Sequence, residues 1–421
     1  MQYKIGELTN VISNKTKDTH LINTFNNCFF DTKNRAIKFV DDEVFLITGD
    51  IPAMWLRDSS AQVMHYLPFA DEPEIQKIIK GLIKRQLRMI LIDPYANAFK
   101  CNEGDWGEWD KVVVTNPHSS IVWERKFELD SLCYPLFLIT KYYEFTKDIT
   151  IFNDLFYKAF NQILNTIDIE QNHEEKSQYF FHFTHTEKQR IECTPNKVNP
   201  NNYGLVWSGF RPSDDVCEYH YHIPDNMFLV SVLFKLQKLF EGELNNKKYA
   251  DICANICKSV RDGIEKYGIK HVEGIGDVYI SETDCHDGYS MNDDANIPSL
   301  LSIPYLEYPF LDKEIYENTR KNILSSNNKF YYEGKCLKGI GSPHTPLRTV
   351  WPLAIIMQGL TSNDEEEIQR CLEYLLSTDD GTERMHESIN IDDPKIYTRS
   401  WFGWANSLFA EFVLRKIFKI I

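Results

Sequence analysis

The sequence predicts an all-α protein with the architecture of an (α/α)6 barrel, in which a ring of inner helices is surrounded by outer helices. Roughly twelve segments show helical spacing of apolar residues, few resemble strands, and strands and helices do not alternate as in a doubly wound sheet. Long polar and aromatic segments precede alternate helices at 49–58, 99–127, 196–226, 282–297, 338–349 and 379–401. Because alternate loops of such a barrel lie at one end, these segments are expected to converge on one pocket.

The amino-terminal part of the chain is predicted to be mainly helical. The first clear helix covers 18–29, where Asp18 or Thr19 would cap its amino end. Residues 35–49 are predicted to form two short strands joined by an Asp-Asp turn. Further helices are predicted over 59–67, 74–92, 128–145 and 151–168, followed by a strand-like run over 178–184. The helix over 74–92 is strongly amphipathic, with apolar residues on one face and Lys and Arg on the other.

The remaining helices follow the central loop, and they are predicted over 226–241, 246–267, 293–306, 313–325, 346–360, 364–376 and 401–418. The most regular pattern is that of 246–267, where Cys253 and Cys257 lie on the apolar stripe and are expected to be buried thiols rather than metal ligands. No low-complexity linker and no repeat of fixed period divide the chain, so residues 1–421 are predicted to form a single domain.

Composition excludes some partners. The formal net charge of −15 over 421 residues argues against binding to nucleic acid or to an anionic membrane surface. No apolar run reaches about 18 residues, so no transmembrane helix is expected. The amino terminus lacks the apolar core of a signal peptide, and the ten cysteines are scattered. These features predict reduced cysteines and a cytoplasmic protein, and they leave its oligomeric state open.

The central segment of the chain is 204–227, GLVWSGFRPSDDVCEYHYHIPDNM, in which the adjacent carboxylates Asp214 and Asp215 follow an Arg and a Pro. Its glycines and prolines predict a loop. An isolated Asp pair of this kind most often does no more than cap a turn. Here, however, carboxylates recur beside Trp, Tyr, Arg and His in the other long segments as well, and this recurrence favours a shared functional site.

Carboxylates mixed with aromatic rings are typical of carbohydrate sites. Sugar C–H faces stack on aromatic rings, and sugar hydroxyls bind to Asp, Glu and Arg side chains. Cleavage of a glycosidic bond then requires one carboxylic acid that protonates the leaving oxygen and a second carboxylate that activates water or attacks the sugar. A surplus of carboxylates also raises the pKa of one of them, as an acid that works near neutral pH requires.

Other chemistries have weaker support. The sequence contains neither a GxSxG nor an HExxH motif, and its two GIG triplets are too short for a nucleotide loop. Asp214, Asp215 and Glu218 spell DDxxE, which on a helix would bind Mg²⁺ and a diphosphate. A non-catalytic glycan-binding barrel is the other alternative. Isolated loop histidines such as His344 do not indicate a metal, so no metal or other cofactor is predicted.

Six stretches together resemble glycoside hydrolase family 125, whose members are exo-acting α-1,6-mannosidases. They are GDIPAMWLRDSSAQV (49–63), WERKFELDSLCYP (123–135), GLVWSGFRPSDD (204–215), MNDDANIPSLLSIPYL (291–306), GSPHT (341–345) and MHESIN with YTRSWFGWANSLF (385–409). The resemblance extends from about residue 40 to about 410, with all six stretches in the same order. It implies an (α/α)6 barrel that removes a terminal, non-reducing α-1,6-linked mannose with inversion and without a metal.

The resemblance also implies roles for particular residues. The base is the Glu of the HES motif, Glu387, and the acid is an aspartate of the RPSDD motif, Asp214 or Asp215. Asp214 is preferred, because adjacent side chains diverge and the tandem-acid loops of related barrels generally use the first. Candidates to hold the mannose hydroxyls are Arg57, Asp58, Glu128, Asp215, Asp293, Asp294 and His344.

An inverting enzyme needs space for water between base and sugar, so the two carboxyl groups should be about 6.5–9.5 Å apart. The sequence departs from the family at Ile389, where an aromatic residue is usual, and at Ser400, where proline is common. These departures concern the shape of the subsites more than the chemistry.

Overall fold

The computed structural model describes residues 3–105, 113–115, 119–186, 189–193 and 202–421. The helices in these residues are α1 (Leu8–Lys15), α2 (Thr19–Asp31), α3 (Leu56–Ala61), α4 (Pro73–Ile92), α5 (Leu129–Thr146), α6 (Asp154–Gln171), α7 (His173–Lys176), α8 (Ile223–Glu241), α9 (Lys247–Tyr267), α10 (Lys313–Ile323), α11 (Pro352–Thr361), α12 (Glu365–Ser377) and α13 (Gly403–Phe412).

The strands are short and lie in the loops between helices. They are β1 (Ile37–Val40), β2 (Glu43–Leu46), β3 (Met54–Trp55), β4 (Ala98–Phe99), β5 (Val113–Thr115), β6 (Val122–Glu124), β7 (Phe181–Thr186), β8 (Gln189–Cys193), β9 (Tyr221–His222), β10 (Ile269–Val272), β11 (Gly276–Tyr279), β12 (Glu282–Thr283), β13 (Tyr289–Ser290), β14 (Tyr331–Glu333), β15 (Lys338–Ile340), β16 (Thr349–Val350), β17 (Ser388–Asn390) and β18 (Tyr397–Thr398). They pair in sheets of two or three strands.

The inner ring of the barrel consists of α3, α5, α8, a segment of turns over 297–307, α11 and α13. Helix α3 packs against α5 and α13, α5 packs against α8, and α11 packs against α13. Tyr134 of α5 connects three members of the ring. Its ring lies 4.9 Å from that of Phe228 on α8 and 6.1 Å from that of Trp404 on α13, and its hydroxyl donates to the carbonyl of Ile297 at 3.1 Å. The predicted all-α barrel is therefore confirmed.

The outer layer covers this ring. Helix α2 packs on α13, α4 on α5 and α6, α9 on α8, and α12 on α11. The apolar stripe predicted for 74–92 faces inward, with Ile75, Ile79 and Leu82 buried. Each such side chain contributes roughly 1.5–3 kcal/mol when fully removed from water. Cys253 and Cys257 are buried free thiols on α9, as the sequence predicts.

The helix predicted over 293–306 is wrong, because this inner segment is a series of turns. Pro298 and Pro304 each lack the N–H that a helix interior requires. Side chains replace the missing helical hydrogen bonds: Asp293 accepts the backbone N–H groups of Leu300 at 2.7 Å and Leu301 at 3.1 Å. The apolar spacing places this segment in the ring but does not determine its backbone conformation.

A further difference concerns the residue at which a helix begins. The helix predicted over 346–360 begins only at Pro352, because Thr349 and Val350 belong to β16, which pairs with β17. The hairpin predicted over 35–49 is present as β1 and β2, with Asp41 in the left-handed region at φ 54° in its turn. In the described part of the chain, no helix has the length and the apolar character needed to cross a bilayer.

Candidate active site

A cavity of about 330 Å³ lies where the inner helices begin. Trp55, Trp351 and Phe402, which line it, directly precede α3, α11 and α13. Five of the six predicted segments converge here, and the segment 282–297 does not reach the lining. The lining residues are Thr48, Asp50, Ile51, Trp55, Arg57, Asp58, Lys126, Ser213, Asp214, His344, Trp351, Glu387, Arg399, Phe402 and Trp404.

Two small sheets hold the loops that carry these residues. Strands β3, β4 and β6 align the segments around Trp55, Asn97 and Glu124. Strands β16, β17 and β18 align Val350 with the stretch that follows Glu387, whose backbone N–H donates to the carbonyl of Thr398 at 3.3 Å. Strands of two or three residues therefore fix side chains that are distant in sequence.

The two central aspartates lie at the end of a tight turn. The backbone N–H of Asp214 donates to the carbonyl of Arg211 at 2.8 Å, and Asp214 has a left-handed φ of 64°, a conformation that Asp tolerates better than most residues. Asp214 lines the cavity. The Asp215 carboxylate instead accepts from the Ser213 hydroxyl at 2.9 Å and lies 3.8 Å from Nδ1 of His344. The two adjacent side chains diverge.

Arg57 is the centre of the charged network beside the cavity, and its guanidinium group is buried. Its Nη2 lies 3.1 Å from Oδ1 of Asp214, and its Nε lies 3.5 Å from Oδ2 of Asp58. Its Nη1 lies 2.7 Å from Oε2 of Glu128 and 3.2 Å from Oδ2 of Asp130. One buried cation therefore serves four carboxyl groups.

These surroundings shift the pKa values of the carboxyl groups in different directions. Burial raises the pKa of Asp58 to about 6 and that of Asp130 to about 7, although Arg57 opposes both shifts. Burial also raises the pKa of Glu128 well above its usual range. For Asp214 burial acts in the same direction, but the charges of Arg57 and Lys126 outweigh it and hold the pKa low. The site thus combines neutral and ionised carboxyl groups near neutral pH.

The carboxylate of Glu387 lies beside a different arginine, Arg399. Its Oε1 lies 3.5 Å from Nη1 of Arg399, whose Nη2 lies 2.6 Å from Oδ1 of Asp50. Arg399 has a left-handed φ of 47°, and its guanidinium group lies 4.7 Å from the ring centre of Phe402. The neighbouring His386 stacks on Tyr397 at 3.7 Å. It therefore packs within its own loop, and it is not among the lining residues.

His344 adds a further cation to the cavity. Burial lowers its pKa, but the neighbouring carboxylates of Asp215, Asp214 and Glu387 raise it to about 9. A protonated His344 therefore interacts electrostatically with Asp214 and Glu387, the predicted acid and base.

The structure brings together some of the predicted site residues and separates others. Asp214, Glu387, Arg57, Asp58 and His344 line the cavity, whereas Glu128 and Asp215 contact lining residues from outside it. Asp293 and Asp294 are not in the lining. Asp293 binds backbone N–H groups, and Asp294 accepts from the Ser342 hydroxyl at 3.2 Å.

Sequence reasoning missed several residues of the site. Lys126 and Arg399 lie within the quoted stretches WERK and YTRSW, so their motifs were a usable signal. No motif indicated Asn97. This residue directly precedes β4, and the pairing of β4 with β3 brings it to the site. Trp351 and Trp404 are both buried and part of the lining. Part of the segment 99–127, including Trp106, Glu108, Trp109, Asp110 and His118, lies outside the described residues.

A small cavity lined by carboxylates, cations and aromatic rings, at the start of the inner helices of an (α/α)6 barrel, has the side chains that a glycoside hydrolase requires. The sequence pattern of the family described as "Metal-independent alpha-mannosidase (GH125)" matches residues 18–414. The chain belongs to this family of α-mannosidases. Among the described residues, no three or more His, Cys, Asp or Glu side chains are grouped so as to hold a metal ion.

Two similar proteins cover nearly the whole chain. The Schizosaccharomyces pombe "Meiotically up-regulated gene 157 protein" is 37% identical over 429 residues, which cover 96% of this chain and 83% of that protein. A Streptococcus pneumoniae structure, from a family of metal-independent α-mannosidases, is a non-productive substrate complex with α-1,6-mannobiose. It is similar with a TM-score of 0.91 and 38% identity, covering 98% of both chains.

Two glucoamylases share the fold alone. That of Saccharomycopsis fibuligera has a TM-score of 0.57 at 11% identity, covering 98% of this chain and 96% of its own. A bacterial glucoamylase complexed with acarbose has a TM-score of 0.54 at 12% identity, covering 87% of this chain and 49% of its own. These likenesses show that the barrel architecture is common to several glycosidases.

Proposed function

We propose that this α-mannosidase removes terminal, non-reducing α-1,6-linked mannose from oligosaccharides with inversion of the anomeric centre. The observation that carries the proposal is that Asp214 and Glu387, from segments far apart in the chain, line one cavity in different electrostatic surroundings. Asp214 lies beside Arg57 and the carboxyl group of Glu128, and Glu387 lies beside Arg399.

The proposed roles follow from these surroundings. Glu387, whose Oε1 lies 3.5 Å from Nη1 of Arg399, is proposed to accept a proton from the attacking water. Asp214 shares Arg57 with Glu128, whose pKa is raised by burial, and Asp214 is proposed to donate a proton to the departing oxygen. The divergence of Asp214 and Asp215 supports Asp214 as the donor, because the carboxylate of Asp215 is held by Ser213.

The shape and charge of the cavity support exo-action on a neutral sugar. A volume of about 330 Å³ is at the small end of the range for ligand pockets and suits one terminal sugar unit. Trp55, Trp351 and Phe402 offer apolar faces for stacking, while Asp58, Arg57 and His344 are proposed to bind hydroxyl groups. The linkage is proposed from the mannobiose bound in the pneumococcal relative. A cytoplasmic location stays a prediction of the sequence.

The test uses the purified full-length chain and the four disaccharides α-1,2-, α-1,3-, α-1,4- and α-1,6-mannobiose. We expect mannose release from the α-1,6 compound at a kcat/KM well above those of the others. Proton NMR of early time points should show β-mannose as the first product, because inversion of an α-linkage gives the β-anomer.

Two outcomes would contradict the proposal in different ways. Absence of mannose release from α-1,6-mannobiose would refute the linkage preference. Initial formation of α-mannose would refute inversion while leaving the linkage intact. Asp215→Asn serves as the matched control for Asp214→Asn, since the two residues are adjacent and only Asp214 lines the cavity.

A further inference from the structure

More carboxyl groups than cations surround Arg57, and this excess of negative charge favours a proton bound to one of the carboxyl groups. The guanidinium group of Arg57 contacts four carboxyl groups within 3.5 Å, and the side chains of Glu128 and Asp130 have no exposed surface. Lys126 and Arg399 act on Asp214 and Asp58, respectively. For Glu128 and Asp130, the neighbouring cation is the shared Arg57. Unpaired buried charge is costly, so not all of these groups are ionised at neutral pH.

The carboxyl groups of Glu128 and Asp214 share two partners, Arg57 and Asn97. Asn97 bridges the two carboxyl groups, with its Nδ2 3.5 Å from Oε1 of Glu128 and 3.2 Å from Oδ1 of Asp214. Arg57 also donates to both groups, from Nη1 to Oε2 of Glu128 at 2.7 Å and from Nη2 to Oδ1 of Asp214 at 3.1 Å. Two carboxyl groups that share the same donors repel each other when both are ionised, so one proton held by the pair is favoured.

The two partners are not equivalent in position. Asp214 lines the cavity and Glu128 does not. Ser131 further fixes Glu128, since its hydroxyl donates to Oε2 at 3.1 Å. Burial raises the pKa of Glu128, whereas Arg57 and Lys126 lower that of Asp214 against the effect of its own burial. In the free protein the shared proton therefore resides mainly on Glu128.

We infer that Glu128 is a positioning and proton-storing residue, which holds the proton that Asp214 delivers to the leaving oxygen. The inference rests on the proposed function, because it assigns to Asp214 the role of general acid. It adds that the acid is half of a carboxyl pair, which extends from the cavity into the barrel wall.

The proton balance of the reaction is complete with groups of this chain and water. Sugar entering the cavity displaces water from Asp214, which favours its neutral form, and the proton moves from Glu128 to Asp214. Asp214 then donates this proton to the glycosidic oxygen, which takes the electron pair of the breaking C1–O bond. The water oxygen bonds to C1, and its proton passes to Glu387.

After product release Glu387 returns its proton to solvent, and the carboxyl pair takes one up. Repulsion between two ionised carboxylates beside a single guanidinium group favours this uptake. One water is consumed for each bond cleaved, and no other reactant is needed.

The test compares Glu128→Gln with wild type on two substrates. α-1,6-Mannobiose needs a protonated leaving group, whereas 2,4-dinitrophenyl α-mannoside leaves without protonation. The amide of Gln donates a hydrogen bond to Asp214 and carries no transferable proton, so Asp214 stays ionised. We expect kcat/KM on mannobiose to fall by about 10²–10⁴-fold, while the loss on the dinitrophenyl substrate stays below about tenfold. Asp214→Asn should show the same selectivity.

Asp130→Asn is the matched control. Asp130 is equally buried and also binds Nη1 of Arg57, at 3.2 Å, but the bonds described for its carboxyl group do not include Asp214. We expect this variant to lower both rates by a similar factor, as a change in the support of Arg57 would. Parallel losses on both substrates in Glu128→Gln, or no loss on either, would overturn the inference. A wild type inactive on mannobiose would instead refute the proposed function.

A measurement on the wild type keeps the inference testable if Glu128→Gln does not fold. Neutron diffraction from deuterated crystals at neutral pH locates the shared proton directly. A deuteron on Glu128, or between Glu128 and Asp214, supports proton storage. A pair without any deuteron would overturn it.

Discussion

Arg57 shows how much one side chain determines in this site. It is buried at the first turn of α3, and its partners Glu128, Asp130 and Asp214 are 71, 73 and 157 residues away in sequence. Its planar group with five donors can serve several carboxyl groups at once, which a lysine could not. The ionisation of the candidate acid therefore depends on charged residues from distant parts of the chain.

Replacement of Glu387 by Gln should abolish most of the activity on every substrate. The amide cannot accept the proton of the attacking water, so kcat/KM should fall by about 10²–10⁴-fold on both α-1,6-mannobiose and 2,4-dinitrophenyl α-mannoside. Glu383→Gln is the matched control. Glu383 lies in the same loop but binds Asn23 and Asn27, so its replacement should leave both rates near wild type. Equal activity of Glu387→Gln and Glu383→Gln would contradict the assignment.

The ion pair of His344 predicts a pH-dependent contribution to stability. Its pKa in the folded protein is raised to about 9, against about 6.5 in the unfolded chain. A raised pKa contributes stability that is fully present below the unfolded pKa and is lost as pH rises through the folded one. The difference in unfolding free energy between wild type and His344→Gln should therefore shrink between about pH 6.5 and pH 9. Urea unfolding across this range measures it, and a difference that stays constant or grows would contradict the ion pair.

At the scale of elements, short strands and loop crossings fix the positions of site residues that lie outside the helices. The helices provide a rigid ring, and the loops before α3 and α13 cross at Gly49. There the backbone N–H of Asp50 donates to the carbonyl of Trp401 at 3.3 Å, and that of Gly403 donates to the carbonyl of Thr48 at 2.9 Å. This crossing places Asp50 beside Arg399, which in turn contacts Glu387.

Gly49→Ala should damage both stability and activity. Gly49 has a φ of 137°, and a Cβ there would lie 2.3 Å from the carbonyl oxygen of Trp401. Gly274→Ala separates the two effects, because Gly274 has a φ of 80° with no atom within 4 Å of the added Cβ. Backbone strain alone should cost Gly274→Ala about 1–2 kcal/mol of unfolding free energy.

Gly49→Ala should lose more than Gly274→Ala in urea unfolding, and it alone should lower kcat/KM on α-1,6-mannobiose. Identical losses of stability in the two variants, with activity retained in both, would show that the loop crossing does not position Arg399.

At the scale of the whole molecule, the barrel brings charged side chains of both signs into one cavity. The cavity holds the cations Arg57, Lys126, Arg399 and protonated His344 among its carboxylates. These positive groups are available to offset the negative charges of the acid and base side chains. The family to which the chain belongs is described as metal-independent.

Prolonged dialysis against EDTA should therefore leave kcat/KM on α-1,6-mannobiose unchanged. A calcium-dependent glycosidase treated in the same way provides a positive control for removal of metal. Loss of activity that returns on addition of a divalent cation would contradict this expectation.

The sequence predicted helices well where apolar spacing is decisive. Helix α9 begins and ends within one residue of the predicted range 246–267, because its buried stripe is encoded within the helix itself. The segment 293–306 shows the limit, since its apolar residues lie in the barrel core while prolines prevent a helix. Local spacing reports which residues face inward but not how the backbone satisfies its hydrogen bonds.

The candidate acid and base could be identified from motifs, but their partners could not. Asp214 and Glu387 lie in recognisable stretches, whereas nothing near Asn97 in sequence indicates that its amide bridges Glu128 and Asp214. Asp293, in a recognisable stretch, proved to bind backbone N–H groups. A motif therefore identifies the neighbourhood of a side chain without specifying the atoms that it contacts.

The sequence by itself determined the all-α class, the inward faces of most helices and the segments that supply the site, because helical periodicity and motif content are local properties of the chain. The tertiary structure alone decided which carboxyl groups share Arg57, that Asp214 faces the cavity while Asp215 turns to Ser213, and that Arg399 stands beside Glu387. Protonation of a buried carboxyl group depends on charges a few ångströms away, and here those charges come from distant parts of the chain.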